Sequence, residues 1–465
     1  KDETWGPLKS QLSPVFDPNS RASNVAELFY QVHLPSFGAA AVQISSNCAD
    51  ESSVADVAEI HTSSHELSKA KRDWGASFSG KIRGFASSSG STISIGLGEV
   101  RGVFDSRTGL LREIQSGECK REMIESFLVY KTRRSGAYLF MPNGRPVPCC
   151  DAKTLFLSKG SLVHQFAISN QDGTTFREAR ITTMSSDIEM IHRLHWNQKH
   201  NNEEIVVRYQ SNVKNEAKKF VTDENGFNPI QRRHRDKLPL QANFFPMPTY
   251  VQMSDSKGRF SVLTERALGV AAPEQGMFEI MLERRPSKDD QRGLGQGIND
   301  NVPTRISLRL LVESSSELSS SASRSPPVPL PSLLSKSISL RSNYPPYSFV
   351  VKQDATKIMS KKSWCPVRYD LPPFVHVMNW ITMDSNFRSS SLMLHYHGVS
   401  NIWTNEGLPN VRLDMKRWLQ APLTFRGNGL VAKSLAPMFD SSSNSASSTI
   451  TLSPMEISPF DAVLQ

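Results

Sequence analysis

Several large functional classes are excluded by what this chain lacks. No apolar run in its 465 residues approaches bilayer-spanning length, and no charged n-region precedes an apolar h-region. Those absences predict a soluble piece that makes no membrane contact of its own. The five cysteines, Cys48, Cys119, Cys149, Cys150 and Cys365, contain no C-x-x-C pair and no zinc-finger spacing. Buried thiols and disulfides fit any pair of them equally, although adjacent Cys149 and Cys150 do not bond each other without strain. No N-x-[ST] sequon occurs, so these residues are not expected to carry N-glycans. The net charge is +9, but no basic block is interleaved with stacking aromatics. No nucleic-acid partner is expected, and the charge reads as solubility.

The length allows two to four domains with sizeable cores. The low mean hydropathy of −0.37 traces largely to serine-rich tracts. Residues 1–47 hold two short strand-like runs, AELFYQVHL and AAAVQIS, around Pro35-Ser-Phe-Gly38. They read as a hairpin ending a small β domain. Residues 48–88, rich in Ser, Ala and Asp, read as a linker or disordered insertion. From 89 to 313 apolar runs recur between Gly, Asn and Asp turns, which predicts a large antiparallel β-sandwich. Residues 314–344 read as a Ser/Pro-rich linker, and 345–465 as a C-terminal β domain with a serine-rich insertion at 441–448. The fold class is therefore mainly β, a large sandwich flanked by smaller β domains.

The densest chemistry lies at residues 283–301, ERRPSKDDQRGLGQGINDN, with three arginines, four acids and an alternating Gly293-x-Gly295-x-Gly297 run. Alternate glycines permit positive φ or close backbone approach to a ligand, and the arginines and carboxylates beside them suit a polyhydroxylated one. The spacing is neither G-x-G-x-x-G nor G-x-x-x-x-G-K-[ST], so a nucleotide fingerprint is excluded. Taken alone, these residues fit a salt-bridged connection between the strands FEIML and RISLRLLVE better than a ligand loop.

The ordered motifs reverse that preference. The 283–301 segment resembles the signature of class II α-mannosidases, glycoside hydrolase family 38, in the Golgi α-mannosidase II-like branch. It matches at Arg284, Arg285, Asp289, Asp290, Arg292, Gly293, Leu294, Gly295, Gln296, Gly297, Asp300 and Asn301. Arg134-Ser-Gly-Ala-Tyr-Leu-Phe-Met-Pro-Asn-Gly144, Phe220-Val-Thr-Asp-Glu-Asn-Gly-Phe227, Lys237-Leu-Pro-Leu-Gln-Ala-Asn-Phe-Phe-Pro-Met247 and Val103-Phe-Asp-Ser-Arg-Thr-Gly-Leu-Leu111 resemble other family segments, in the family's order. The resemblance is strong from about 90 to 313, weaker from 14 to 45 and faint after 345.

That resemblance implies a galactose mutarotase-like sandwich of the mannosidase C-terminal type. It also implies contact with mannose by Tyr138, by the backbone carbonyl of Arg292 and by neighbouring Gly293. Asp289, Asp290 and Arg284 become loop-organising, with Arg284 and Arg285 paired to the two aspartates. The aspartates are not read as an acid/base pair, because adjacent residues on an extended chain face opposite ways. His192, His195 and His200 carry a tempting metal spacing, but an i, i+3 pair on a strand splits across its faces. They are expected to be surface or lightly buried. His395 and His397 share a strand face, and Trp380, Trp403 and Trp418 are expected in cores rather than as sugar platforms.

The family's nucleophile, acid and zinc ligands sit on an N-terminal α/β domain, on patterns such as H-x-D. No such pattern with its companion strands is found. The chain is therefore expected to be the C-terminal portion, truncated at its N-terminus, binding no zinc itself and inactive alone. Its expected partners are an N-glycan mannosyl substrate and the missing catalytic domain in cis, within the Golgi lumen. A non-catalytic carbohydrate-binding protein and a structural β module remain as alternatives.

Overall fold

The computed structural model describes residues 7–16, 25–45, 54–85, 91–314 and 330–350, apart from positions 64, 76 and 79, with shorter stretches between 363 and 464. Two sheets dominate. The nine-stranded one runs, neighbour to neighbour, Phe245–Met247, Leu268–Ala271, Met277–Arg285, Glu203–Ser211, Cys119–Lys131, Leu111–Ser116, Val100–Asp105 and Thr92–Leu97, with Val147–Pro148 also paired to Cys119–Lys131. The eleven-stranded one carries Tyr250–Asp255, Gly258–Thr264, Thr304–Ser314, Ile188–Leu194, Thr175–Thr182 and Val163–Asn170 at its centre.

The strands stack because their alternate residues are apolar. Phe104 of one sheet meets Phe166 of the other at 5.0 Å between ring centroids, and Phe278 meets Phe260 at 5.6 Å. All four are fully buried, in a core shared with Trp196, Tyr209 and Leu308. The molecule is the antiparallel sandwich that alternation predicts.

Cys119–Lys131 shows how the site is prepared. Its first half alternates, with Cys119, Arg121, Met123 and Glu125 buried and the residues between them exposed; from Phe127 to Tyr130 both faces are covered. The change marks where the outer face passes beneath another segment. Leu128, Tyr130 and Val206 form an apolar cluster there with Phe140, Leu240 and Met281. Phe140 stacks edge-on against Tyr130 and against Phe244, at 5.4 and 5.2 Å. Two of the motifs that carry the resemblance, around Tyr138 and around Leu240, thus pack on each other.

Three expectations of organisation change. Residues 48–88 are not a linker throughout: Glu59–Thr62 pairs with Ala152–Lys159 and extends the eleven-stranded sheet, and Ile82–Gly84 pairs with it in parallel. Ile60, Phe78 and Ile82 are buried with Ala70 of the helix Leu67–Trp74. A few large apolar groups are enough when an existing sheet edge receives them. Within 314–344, the helix Leu333–Asn343 replaces a linker. Ser332 caps its first turn, and Leu334 and Ile338 pack on Val221, Tyr250 and Leu311. Serine here is a cap, not a breaker. The two runs in 1–47 do not form a hairpin: Ala26–Tyr30 pairs with Ser10–Pro14, and Ala39–Ala40 with Ser363–Trp364.

Beyond residue 363, a four-stranded sheet orders Val375–Thr382, Ser389–Tyr396, Ile457–Leu464 and Phe425–Ala432. Trp418 is buried there and stacks on Trp380 at 5.7 Å. Trp403, Cys48 and the serine-rich 441–448 insertion lie outside the described residues, as does 315–329 of the Ser/Pro-rich segment.

Candidate substrate-contacting site

Residues 132–142 leave the end of Cys119–Lys131 and return beside it as a strap. A bridge joins Thr132 to Pro142, and the Asn143 amide donates to the Lys131 carbonyl at 2.8 Å. Inside the strap the Ser135 hydroxyl accepts from the Met141 amide at 2.7 Å and donates to a Glu204 carboxylate oxygen at 3.2 Å. Glu204 is fully buried and faces Arg284 across the paired strands. The Arg284 guanidinium reaches Glu204 at 2.7 Å and donates to the strap carbonyls of Gly136 and Leu139 at 3.2 and 2.8 Å. Burial raises the Glu204 carboxyl above its ordinary value, with Arg284 and Ser135 opposing that shift.

The second segment, 286–301, is stapled at its ends. The Asn202 side chain accepts from the Ser287 amide and hydroxyl at 3.1 and 2.8 Å, and Asn301 accepts from Arg285 at 2.7 Å. Gly293 and Gly295 adopt φ of 101° and 76°, backbone that side chains rarely tolerate, so the expected conformational role of glycine is present at both.

Strap and loop meet at Asp290. One of its carboxylate oxygens accepts from the backbone amides of Tyr138 and Leu139 at 2.7 and 2.8 Å. The nearby Arg292 amide also favours the ionised form of Asp290. Desolvation opposes ionisation, but these amide donors prevail and hold the carboxyl below its ordinary range. The approach is close enough to require glycine opposite: a Cβ on Gly136 would sit 2.5 Å from that of Asp290. Tyr138 stands 63% exposed above this junction, with Arg292 and Gly293 exposed beside it. One carboxylate thus fixes the two segments that carry Tyr138 and Arg292.

Arg284 and Arg285 do not pair with the aspartates as expected. Arg284 takes Glu204, and Arg285 takes Asn201 and Asn301, because both sit on the sheet rather than in the loop. Glu204, Ser135, Asn202 and Arg284's true role escape sequence reasoning. A carboxylate opening the run EEIVVRY reads as solvated. Its only local signal is that it lies in register with an arginine of the signature.

Of the histidines expected at or near the surface, His192 differs. His192 is fully buried against Phe127, and that burial lowers its basicity to about 3. Its strand alternation places it inward with Met190 and Leu194. His195 is exposed, and His200 stacks on Trp196 at 3.7 Å. His395 and His397 are buried beside each other at 4.3 Å. His234-Arg235-Asp236 has an H-x-D spacing, but Asp236 is 75% exposed and pairs with Lys218. Among the described residues no group of three or more His, Cys, Asp or Glu is placed to hold a metal ion. The described residues therefore do not fit a zinc site.

Comparison with known proteins decides the family. A profile of the glycosyl hydrolases family 38 C-terminal domain matches residues 98–292, the stretch that contains both the strap and Asp290. The chain belongs to glycosyl hydrolase family 38. The matched domain is that family's C-terminal one. The chain is 30% identical over 389 residues to alpha-mannosidase 2 of Mus musculus, covering 77% of this chain and 33% of the relative. Against alpha-mannosidase 2 of Homo sapiens it is 29% identical over 482 residues, covering 98% of this chain and 40% of the relative. The chain thus spans well under half the length of these relatives. A crystal structure of an alpha-mannosidase from Enterococcus faecalis shares the fold, with a TM-score of 0.55 at 9% identity over 82% of this chain and 44% of that one. Among the described residues no helix is long and apolar enough to cross a membrane.

Proposed function

We propose that this family 38 chain completes the substrate pocket of a retaining, zinc-dependent exo-α-mannosidase that trims α1,3- and α1,6-linked mannose from N-glycans in the Golgi lumen. Tyr138 offers a phenol able to donate to and accept from sugar hydroxyls. Arg292 offers its main-chain carbonyl, and Gly293 leaves that backbone uncovered. The nucleophile, the acid and the zinc ligands belong, on this reading, to an N-terminal domain acting in cis. No step of bond cleavage is assigned to the residues described above; their work is to bind and orient.

The observation that supports this reading most is the convergence of the Tyr138 and Leu139 amides on the Asp290 carboxylate, two residues before Arg292. An exposed phenol and an exposed glycine-flanked backbone then share one mount, an arrangement that suits sugar recognition. The test is titration with an α1,3/α1,6-mannosylated N-glycan, comparing the native chain with Tyr138→Ala. Loss of the phenol contact is expected to weaken binding about tenfold, the scale of one hydrogen bond. Unchanged binding would reduce Tyr138 to a bystander. Zinc-dependent release of mannose by this chain alone would overturn the division of labour.

A further inference from the structure

We propose that Cys149 and Cys150 form a redox modification site, closing reversibly into a disulfide between neighbouring residues. Neither is in a disulfide, and the two residues line one cavity of about 220 Å³ together with Lys131, Trp196, His200 and Glu203. Both residues border that same cavity, so their side chains open onto one space. The backbone is held for this. Val147–Pro148 pairs with Leu128 and Val129, and the Cys149 amide donates to the Phe127 carbonyl at 2.9 Å. That leaves Cys150 at a φ of 65°, a left-handed conformation uncommon for a residue with a side chain. Both cysteines are only partly buried, within reach of a small oxidant.

The chemistry is thiol–disulfide exchange with a low-molecular-weight disulfide such as oxidised glutathione. One cysteine thiolate attacks a glutathione sulfur and releases one glutathione thiol. The neighbouring thiolate then attacks the mixed disulfide and releases the second. Two protein thiols lose two protons and two electrons, and one disulfide becomes two thiols. Adjacent Cα atoms lie about 3.8 Å apart across a trans peptide, below the usual disulfide spacing of about 4.4–6.8 Å. The bond is therefore strained and easily reduced, which suits a reversible mark rather than a structural staple. It closes at the foot of the strap that carries Tyr138, yet the inference does not depend on what that strap binds.

The test equilibrates the native chain in glutathione buffers from fully reduced to fully oxidised, traps thiols by alkylation, and weighs the peptide containing residues 149 and 150. The expected result is a reversible shift from a doubly alkylated peptide to one two hydrogens lighter and unalkylated. Cys150→Ser is expected to stop at a glutathione mixed disulfide on Cys149. Double alkylation at every buffer ratio would overturn the proposal. So would a persistent mixed disulfide in the native chain, or a cross-link from either residue to another cysteine.

Discussion

On its inner face the nine-stranded sheet meets its partner through Phe104, Phe127, Tyr209 and Phe278. On its outer face, beneath the strap, the buried residues include Glu204 and Glu279. Glu279 receives the Tyr130 hydroxyl and the Arg208 guanidinium, both at 2.5 Å, while Glu204 receives Ser135 and Arg284. Inside, many interchangeable apolar contacts share the load, and volume matters more than identity. Outside, a few charged groups each hold a named partner, and removing one leaves another buried without compensation. The first face makes a sandwich; the second makes this particular loop arrangement, and with it the candidate site.

That contrast can be broken from either side. Phe278→Ala is expected to have the largest effect, a loss of about 3–5 kcal/mol in global stability by urea unfolding. The Ser135–Glu204 contact should survive in whatever remains folded, and a selective loss of strap order instead would contradict the division. Glu204→Ala is expected to lose about 3 kcal/mol, because Arg284 loses its carboxylate and keeps only the strap carbonyls of Gly136 and Leu139. Here hydrogen exchange should rise first in residues 132–142, and a uniform rise across the sheets would erase the distinction.

His192 sharpens the comparison as a polar residue on the inner face. Its folded value of about 3 lies below the ordinary 6.5 because burial disfavours the charged ring. The stability tied to its neutrality is present above pH 6.5 and is lost as pH falls from there toward 3. The expected slope is about 1.4 kcal/mol per pH unit from this one group. His376 and His395, each lowered to about 4 by burial, add to the acid loss of the native chain. Thermal melts of His192→Met against the native chain should isolate the His192 share. Identical pH profiles would show that this ring has a partner in solution.

The sequence made the sandwich legible because period-two alternation is a local signal, and the glycines at 293 and 295 announced the loop because positive φ needs them. Two resembling motifs proved to be turn devices. Asp105 accepts from the amides of Arg107 and Thr108, and Asp223 from those of Gly226, Thr249 and Tyr250. The outer-face network was not legible, because Glu204, Ser135 and Arg284 lie far apart in sequence and only strand register joins them. The small structured region at 54–85 was hidden for a related reason: its few apolar residues matter only beside a sheet formed later in the chain.

The most direct test of the Asp290 mount is site-resolved hydrogen exchange in Asp290→Ala. The Tyr138 and Leu139 amides should lose protection together while Glu203–Ser211 keeps its own. Unchanged protection at those two amides would mean that strap and loop are held by something else, and the site as drawn would fall.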